Sequence, residues 1–542
     1  MDRTMERSAT LQVAIEQIKK LYLAPEYAMH VTPRPAIISP ARGRKAWLAT
    51  SEKELGERAR GIRVIPTQKY PTRLAVPEMQ IVNEVAREIL MSIDGTRNGD
   101  EVYRRVLATF KEPYGVQEES VFKFILEALA RGVLTAREAP LRREVEVTGA
   151  PDYYVPINTS LEVTSNCNLR CIHCYGRFER SRVDELSAKQ LITILAQLAE
   201  AGVRQIELTG GECTVHPEFS DILRFACDHF PMVAILSNGV TIPEEAFTLL
   251  EKHADKVVAQ ICINGNEQYH SAFTNSTIAY RRAMQAVNRL AKSGVMVHTP
   301  MNLTLDNYEM IEETILATME AGSASLTPSF AADFGRAEDA YLGTSDHSKD
   351  DCKQGKCTHM VQGRTCIERF QIIGEIQKTL ASLKKKYPLF LRTEVDAVAK
   401  EVEKYVGNCG AGNRTLYICS NGVCGLCPMS VESGIPAFGS LIDRSLHDIL
   451  NSEYARRVAA LPAPTATRCT GCKLSCGCLL MAIRQYIRTP EICKWGREWK
   501  LDTLIPLGYP MPQKHLPEAG LGCSNGAHGS VKCEAPGGTL LR

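Results

Sequence analysis

The sequence predicts an α/β protein: a partial (β/α)6 TIM barrel with a winged-helix-like domain ahead of it and a cysteine-rich domain behind. Three observations carry that expectation. Six apolar runs, near 161–164, 204–208, 232–236, 257–262, 295–301 and 324–327, alternate with helical patterns. Such alternation implies a parallel sheet whose site lies at the carboxyl ends of the strands. Between residues 84 and 131 three helical patterns follow short extended pieces, which is a winged-helix layout. The twenty cysteines are grouped: none in the first 166 residues, three within Cys167–Cys174 and nine between Cys409 and Cys493.

Composition narrows the function. At 542 residues and 44% hydrophobic, the chain has room for several ordinary globular domains. Lys plus Arg number 64 against 62 Asp plus Glu, so the charge balance suggests neither nucleic acid nor an anionic membrane as partner. There is no apolar run of membrane-spanning length, and Met1-Asp2-Arg3-Thr4-Met5-Glu6-Arg7 leads into no signal-peptide core. The expectation is a cytoplasmic protein that uses its thiols on metal rather than on disulfides.

Residues 1–58 read as an extension that packs on the domains behind it. It carries Pro33, Pro35 and Pro40, the basic patch Arg42-Gly43-Arg44-Lys45, and a short helical pattern near Leu11 to Leu23. A basic run of this kind is a solvated face. Residues 59–136 hold the extended pieces Arg63–Ile65 and Arg73–Val76, then helices near Glu84 to Ile93, Asp100 to Phe110 and Gln117 to Arg131. In the third, Val121, Phe124, Ile125, Ala128 and Leu129 repeat with helical spacing before the stop at Gly132. The string Ala86 to Gly95 with the two helices after it resembles the PqqD-like peptide recognition element. That resemblance implies that a leader peptide adds a strand beside the third helix. A DNA-binding winged helix fits less well, because Glu118, Glu119 and Glu127 on that helix face only Lys123 and Arg131.

A polar linker leads to the barrel, residues 155–335. Its clearest helix follows the cap Ser187, with Leu191, Ile194, Leu195 and Leu198 on one stripe and Gly202 as the stop. Directly after the run Leu161-Glu162-Val163-Thr164 come Cys167, Cys171 and Cys174, spaced C-x3-C-x2-C. Three thiols on a loop can ligate three corners of a cubic iron-sulfur cluster and leave the fourth iron open. The alternative, a zinc knuckle, needs a fourth ligand, and His173 lies between two of the cysteines rather than at zinc-ligand spacing from them.

With Gly210-Gly211-Glu212 one βα unit later, this segment resembles the radical S-adenosylmethionine superfamily. The resemblance implies that Cys167, Cys171 and Cys174 form the catalytic centre. It also implies that the open iron chelates the amine and carboxylate of S-adenosyl-L-methionine. Gly210 and Gly211 would let the backbone approach the ligand, and Glu212 would offer a carboxylate to its amine. Ser237 and Asn238 would contact ribose or carboxylate, Asn264 stands where related enzymes often have Asp, and His173 takes the aromatic position near the adenine. Gly and Asn at strand ends are also what turns require. His216, His270 and His298 read as ordinary polar residues. Cys213, Cys227 and Cys262 read as packed thiols, with Cys213 placed to line the pocket beside Glu212.

Residues 336–404 form a connecting segment with Cys352, Cys357 and Cys366, expected as loop thiols. In 405–500, Cys409, Gly422 and Cys427 stand in a C-x12-G-x4-C arrangement, followed by Cys469, Cys472, Cys476, Cys478 and Cys493. This resembles the SPASM extension, which implies two auxiliary 4Fe-4S clusters besides the one that binds S-adenosylmethionine. By that pattern Cys409, Cys427 and Cys478 serve an inner cluster, and Cys469, Cys472, Cys476 and Cys493 an outer one. Cys419 and Cys424 are additional. They leave the fourth inner ligand open between either thiol and an unligated iron. A pair of zinc sites is the alternative. The Gly-rich tail, 501–542, with Cys523 and Cys533, reads as flexible.

The order of parts resembles the maturases of ribosomally made peptides, thioether-forming sactipeptide synthases among them. By that resemblance the enzyme removes hydrogen from a precursor peptide held by its leader and installs a crosslink, a Cys thioether first of all. Reduced ferredoxin or flavodoxin would be the electron donor. Carbon-carbon or carbon-oxygen crosslinking, epimerisation and sulfatase-type residue oxidation are the alternatives within the class. A zinc-containing peptide-binding scaffold is the alternative outside it.

Overall fold

The computed structural model describes residues 3–32, 36–40, 80–82, 84–110, 117–130, 132–331, 335–336, 360–361, 364–393, 410–433, 435–462, 479–488 and 493–505. The extended pieces at 63–65 and 73–76, the basic patch at 42–45 and the tail past 505 lie outside these residues.

The amino-terminal module begins with the helix Arg3–Ile18. Then come β1 (Tyr22–Pro25), β2 (Tyr27–Val31), β3 (Ala36–Pro40), β4 (Gln80–Val82), the helices Glu84–Met91, Gly99–Phe110 and Glu118–Ala130, β5 (Leu134–Arg137) and β6 (Val147–Gly149). Local chemistry sets these boundaries. Asn98 and Glu101 each accept from the other's backbone N–H, at 2.9 and 3.0 Å, a reciprocal cap that starts the second of the three helices. The sheet runs β4-β3-β2-β6, and β1 pairs antiparallel with β5. One apolar core joins Ile15, Ile18, Leu23, Tyr27 and Met29 to Leu90, Val102, Val106, Phe122, Ile125 and Leu129. The segment expected to pack as an extension therefore supplies strands and core side chains to the three helices.

The linker fixes this module to the barrel. His30, buried, uses both ring nitrogens, Nδ1 with Thr148 Oγ1 at 2.9 Å and Nε2 with Val155 O at 2.8 Å. Glu146 pairs with the buried Arg204 at the start of the second barrel strand.

The barrel strands are β7 (Asn158–Thr164), β8 (Gln205–Gly210), β9 (Met232–Ser237), β10 (Val257–Ile261), β11 (Met296–Leu303) and β12 (Ser325–Phe330), each parallel to the next. All six expected runs are strands. The helix Ala188–Glu200 opens on Ser187, whose side chain accepts from Gln190 N while Gln190 reaches back, a capping box. Its Leu191, Leu195 and Leu198 pack with Leu161, Ile206 and Leu208 from the outer face of the sheet.

After β12 come a two-strand hairpin, β13 (Met360–Val361) with β14 (Arg364–Thr365), and the helix Cys366–Lys386. That helix sets Ile376 and Leu383 against Met301, Leu303 and Leu326. The chain then returns to the first barrel strand. β15 (Thr415–Ile418) runs parallel to β7 from Thr415 beside Asn158 to Ile418 beside Leu161, and β16 (Val423–Gly425) and β17 (Gly439–Ser440) continue antiparallel. The result is a nine-stranded sheet in the order β12-β11-β10-β9-β8-β7-β15-β16-β17. An open barrel leaves β7 as an edge with unpaired backbone groups, and β15 covers it. Among the described residues, no helix is long and apolar enough to cross a membrane.

Candidate active site at the mouth of the barrel

Cys167, Cys171 and Cys174 lie on the loop that leaves the carboxyl end of β7, and all three are partly exposed and free of disulfides. The loop is held from several sides. The Glu185 carboxylate accepts from Ser165 N and Oγ and from Thr164 Oγ1 at its start. Arg170 donates to Cys167 O at 2.7 Å and Leu169 O at 3.0 Å and pairs with Glu179. Ile172 N donates to Phe273 O at 3.0 Å.

The two glycines after β8 are explained by this loop. A Cβ on Gly210, whose φ is +138°, would stand 2.2 Å from Thr164 O, and one on Gly211 would stand 2.4 Å from Asn166 O. Only glycine permits that approach. Gly211 N and Glu212 N then donate to Thr164 O and Asn166 O, both at 2.9 Å. The close approach expected toward a ligand is thus made, in this structure, toward the cysteine loop.

The thiols suit a metal cluster by their chemistry. Burial pushes Cys167 up to about 11 and Cys171 higher still; Cys174 adds to the rise at both, and Cys167 to that at Cys171. As bare thiolates they would be costly here, and a cationic iron-sulfur core supplies the missing counter-charge. Leu169 N already donates to Cys167 Sγ at 3.4 Å, the kind of bond a ligating thiolate accepts. Among the described residues, no three His, Cys, Asp or Glu side chains are gathered tightly enough to hold a single metal ion.

The expected S-adenosylmethionine contacts divide. Glu212 is only 1% exposed. Its carboxylate accepts from Thr214 Oγ1 at 2.6 Å, Thr214 N at 3.2 Å, Ser237 Oγ at 2.8 Å and Asn238 N at 2.6 Å. Burial pushes its pKa up while those donors oppose the rise. A carboxylate so enclosed ties the end of β8 to the end of β9. Ser237 is spent on the same carboxylate. Asn238 reaches the cysteine loop, its Nδ2 donating to Asn168 Oδ1 at 2.7 Å. Asn264 is also buried, and its Oδ1 accepts from Asn302 N and Nδ2 at 2.9 and 3.1 Å. It locks the end of β10 to β11. His173 stays beside the thiols, with its ring stacked on Phe273 at 4.4 Å and 4°. Burial lowers it to about 3, so the imidazole is neutral, and its Nδ1 is buried with no hydrogen-bond partner.

Of the second cysteine field, Cys419, Cys424, Cys427 and Cys493 are described; Cys409, Cys469, Cys472, Cys476 and Cys478 lie outside the described residues, as do Cys352 and Cys357. Cys419 directly follows β15 and Cys424 lies in β16, both with no exposed surface, on either side of a turn that Gly422 makes at φ +81°. Burial pushes Cys424 up to about 12. Cys427 and Cys493 are half-buried, and Cys493 Sγ accepts from Gly496 N at 3.4 Å at the start of the helix Lys494–Glu498. Cys213 and Cys227 are fully buried. Cys213 is therefore closed off from the mouth.

Several residues that hold the site went unread in the sequence. Glu162 is a buried carboxylate between Leu161 and Val163 in β7. It accepts from Tyr417 Oη at 2.6 Å and Ser420 N at 3.0 Å, and Tyr417 Oη lies 3.3 Å from Tyr175 Oη. This line joins the residue after Cys174 to the β15 hairpin. The signal available was a charge set between Leu161 and Val163. Arg336 left a weaker one, a Gly-Arg pair after the last barrel strand.

A barrel loop of three thiols above a parallel sheet, with a cysteine-bearing hairpin extending that sheet, defines a class, and sequence comparison agrees. The Radical SAM superfamily model matches residues 161–317, and that of the SPASM iron-sulfur cluster-binding domain matches residues 409–476. The chain therefore carries a radical S-adenosylmethionine domain followed by a SPASM domain. Among named relatives, it is 23% identical over 438 residues to the antilisterial bacteriocin subtilosin biosynthesis protein AlbA of Bacillus subtilis, across 79% of this chain and 90% of that one. It is 28% identical over 204 residues to the sporulation killing factor maturation protein SkfB of the same organism, across 38% of this chain and half of that one. The fold is similar to that of Streptococcus suis SuiB bound to precursor peptide SuiA, with a TM-score of 0.53 at 13% identity over 86% of this chain and 97% of that one.

Proposed function

We propose that this protein matures a ribosomally made precursor peptide by removing hydrogen from a core residue and installing a crosslink, a Cys thioether. The observation that supports this most is the thiol loop at the barrel mouth in a chain that aligns over 79% of its length with a bacteriocin biosynthesis protein. Cys167, Cys171 and Cys174 would hold a 4Fe-4S cluster by three irons, and S-adenosylmethionine would sit on the fourth. When bound, the pair supplies a one-electron reductive cleavage that yields a carbon radical able to take hydrogen from an unactivated C–H bond.

The rest falls to the chain. His173, neutral and stacked on Phe273, gives the adenine a flat neighbour and keeps charge away from it. Glu212 and Asn264 hold the strand ends in place, so that the reacting parts meet in one geometry. The amino-terminal module binds the leader by strand addition beside the helix Glu118–Ala130, and tethering raises the core peptide's concentration at the mouth. The second cysteine field holds two auxiliary clusters. Reduced ferredoxin or flavodoxin donates the electron, in the cytoplasm, where thiols and clusters stay reduced.

Anaerobic turnover tests the reading. Reconstituted protein with S-adenosylmethionine, a reductant and a cysteine-bearing precursor peptide should form 5'-deoxyadenosine and a peptide lighter by two hydrogens per crosslink. A peptide of unchanged mass that incorporates solvent deuterium would identify an epimerase instead. A colourless, zinc-loaded protein would exclude the proposal.

A further inference from the structure

Gly335 and Arg336 stand just beyond β12 and reach back across the barrel mouth to the thiol loop. Arg336 N donates to Cys174 O at 2.9 Å, its Nε donates to Cys171 O at 2.8 Å, and its Nη2 donates to Phe178 O at 3.3 Å. Gly335 makes room for this, because at φ +58° an added Cβ would stand 2.2 Å from Tyr175 O and 2.4 Å from Cys174 O. One arginine thus grips the carbonyls of two of the three cysteine residues and of the turn after them.

Its charge is the second observation. Arg170, between Cys167 and Cys171, is paired with Glu179 at 3.0 Å. Among the described residues no carboxylate pairs with Arg336, and its partners are neutral carbonyls. The side chain is half-buried, and an uncompensated guanidinium in that setting needs an anion nearby. The carbonyl oxygens that take its Nε and Nη2 carry no net charge to balance it. Its Nε bond to Cys171 O sets the guanidinium beside Cys171, which is where a thiolate-bound cluster would place negative charge.

We infer that Arg336 is a positioning residue that both clamps the three-thiol loop and supplies the fixed positive charge that makes the cluster on that loop easier to reduce. This rests on the cluster assignment proposed above. A reduced cluster carries one more negative charge than an oxidised one, so a nearby fixed cation favours the reduced state. No proton need move.

Redox titration followed by electron paramagnetic resonance tests it, using the full chain reconstituted with iron and sulfide. Arg336→Gln should make reduction of the loop cluster about tenfold less favourable, which for one electron is a midpoint lower by about 59 mV. Arg336→Lys keeps the charge but loses the fork, so its midpoint should match wild type while a chelator strips iron from it several-fold faster. Equal midpoints for wild type and Arg336→Gln, or equal shifts in both variants, would overturn the inference. Should Arg336→Gln fail to take up the cluster, Arg336→Lys carries the test alone, and a wild-type chelation rate in that variant would overturn it. Failure of the wild-type protein to show a reducible loop cluster would instead defeat the proposed function.

Discussion

The molecule holds cysteines in two contrasting ways. On the barrel loop Cys167, Cys171 and Cys174 stay partly exposed, while the loop's backbone takes the restraints: Glu185 at its start, Arg170 and Arg336 on its carbonyls, Gly210 and Gly211 beneath it. In the β15–β16 hairpin the thiols themselves are enclosed. Cys419 and Cys424 have no exposed surface, and Cys424 belongs to the main apolar core. Spacing along the chain does not separate these two sets of thiols; exposure does. The loop is built to leave its sulfurs available, and the hairpin is built to bury two of its own.

Substitutions can sharpen or break that contrast. The largest effect belongs to the loop: Cys171→Ala should abolish 5'-deoxyadenosine formation while the far-ultraviolet circular dichroism stays that of the wild type. Surviving turnover would remove the loop from the chemistry. Next comes the floor under the loop. Gly210→Ala meets both a left-sided backbone and the Thr164 carbonyl, and should cost about 3 kcal/mol in denaturant unfolding, with loss of loop iron. A wild-type midpoint would show that the loop tolerates displacement.

A pH effect arises from the residue behind Asn264. His270 accepts from Asn264 N at 3.1 Å and is lowered from the ordinary 6.5 to about 4 because burial disfavours its charged form. The unfolded chain takes up the proton first as the solution is acidified. Stability is therefore full above about 6.5, falls by up to about 1.4 kcal/mol per pH unit below it, and levels off near 4. Unfolding followed across that range should show a shallower slope for His270→Gln, and an unchanged slope would refute the assignment. The smallest effect concerns the hairpin. Cys424→Ala should cost about 1 kcal/mol through lost packing and leave the iron content unchanged. A loss of one cluster's iron would make Cys424 a ligand and erase the contrast.

Much of the fold was legible because it is written locally. Each barrel strand is a short apolar run bounded by turn residues, and Ser187 with Gln190 announces its helix by a cap that needs no distant partner. The thiol loop was legible for the same reason. What escaped was set by distant pairing. Strand β15 lies against β7 although more than two hundred residues separate them, and neither strand's pattern names the other. Strands β1 and β2 have only four and five residues, too few for a period to show, so a structural part of the first module read as an extension. Glu212 and Asn264 stand out in the sequence at strand ends, but the partners of a side chain there depend on what fills the next strand. Ser237 and Asn302 are those partners.

The central claim is that Cys167, Cys171 and Cys174 hold a cluster with one iron left open for S-adenosylmethionine. Electron paramagnetic resonance of the reduced, reconstituted protein, recorded with and without S-adenosylmethionine, tests it most directly. The account predicts a signal that changes on adding the ligand and is missing when all three cysteines are replaced by alanine. A signal indifferent to S-adenosylmethionine, or one that persists in the triple variant, would contradict it.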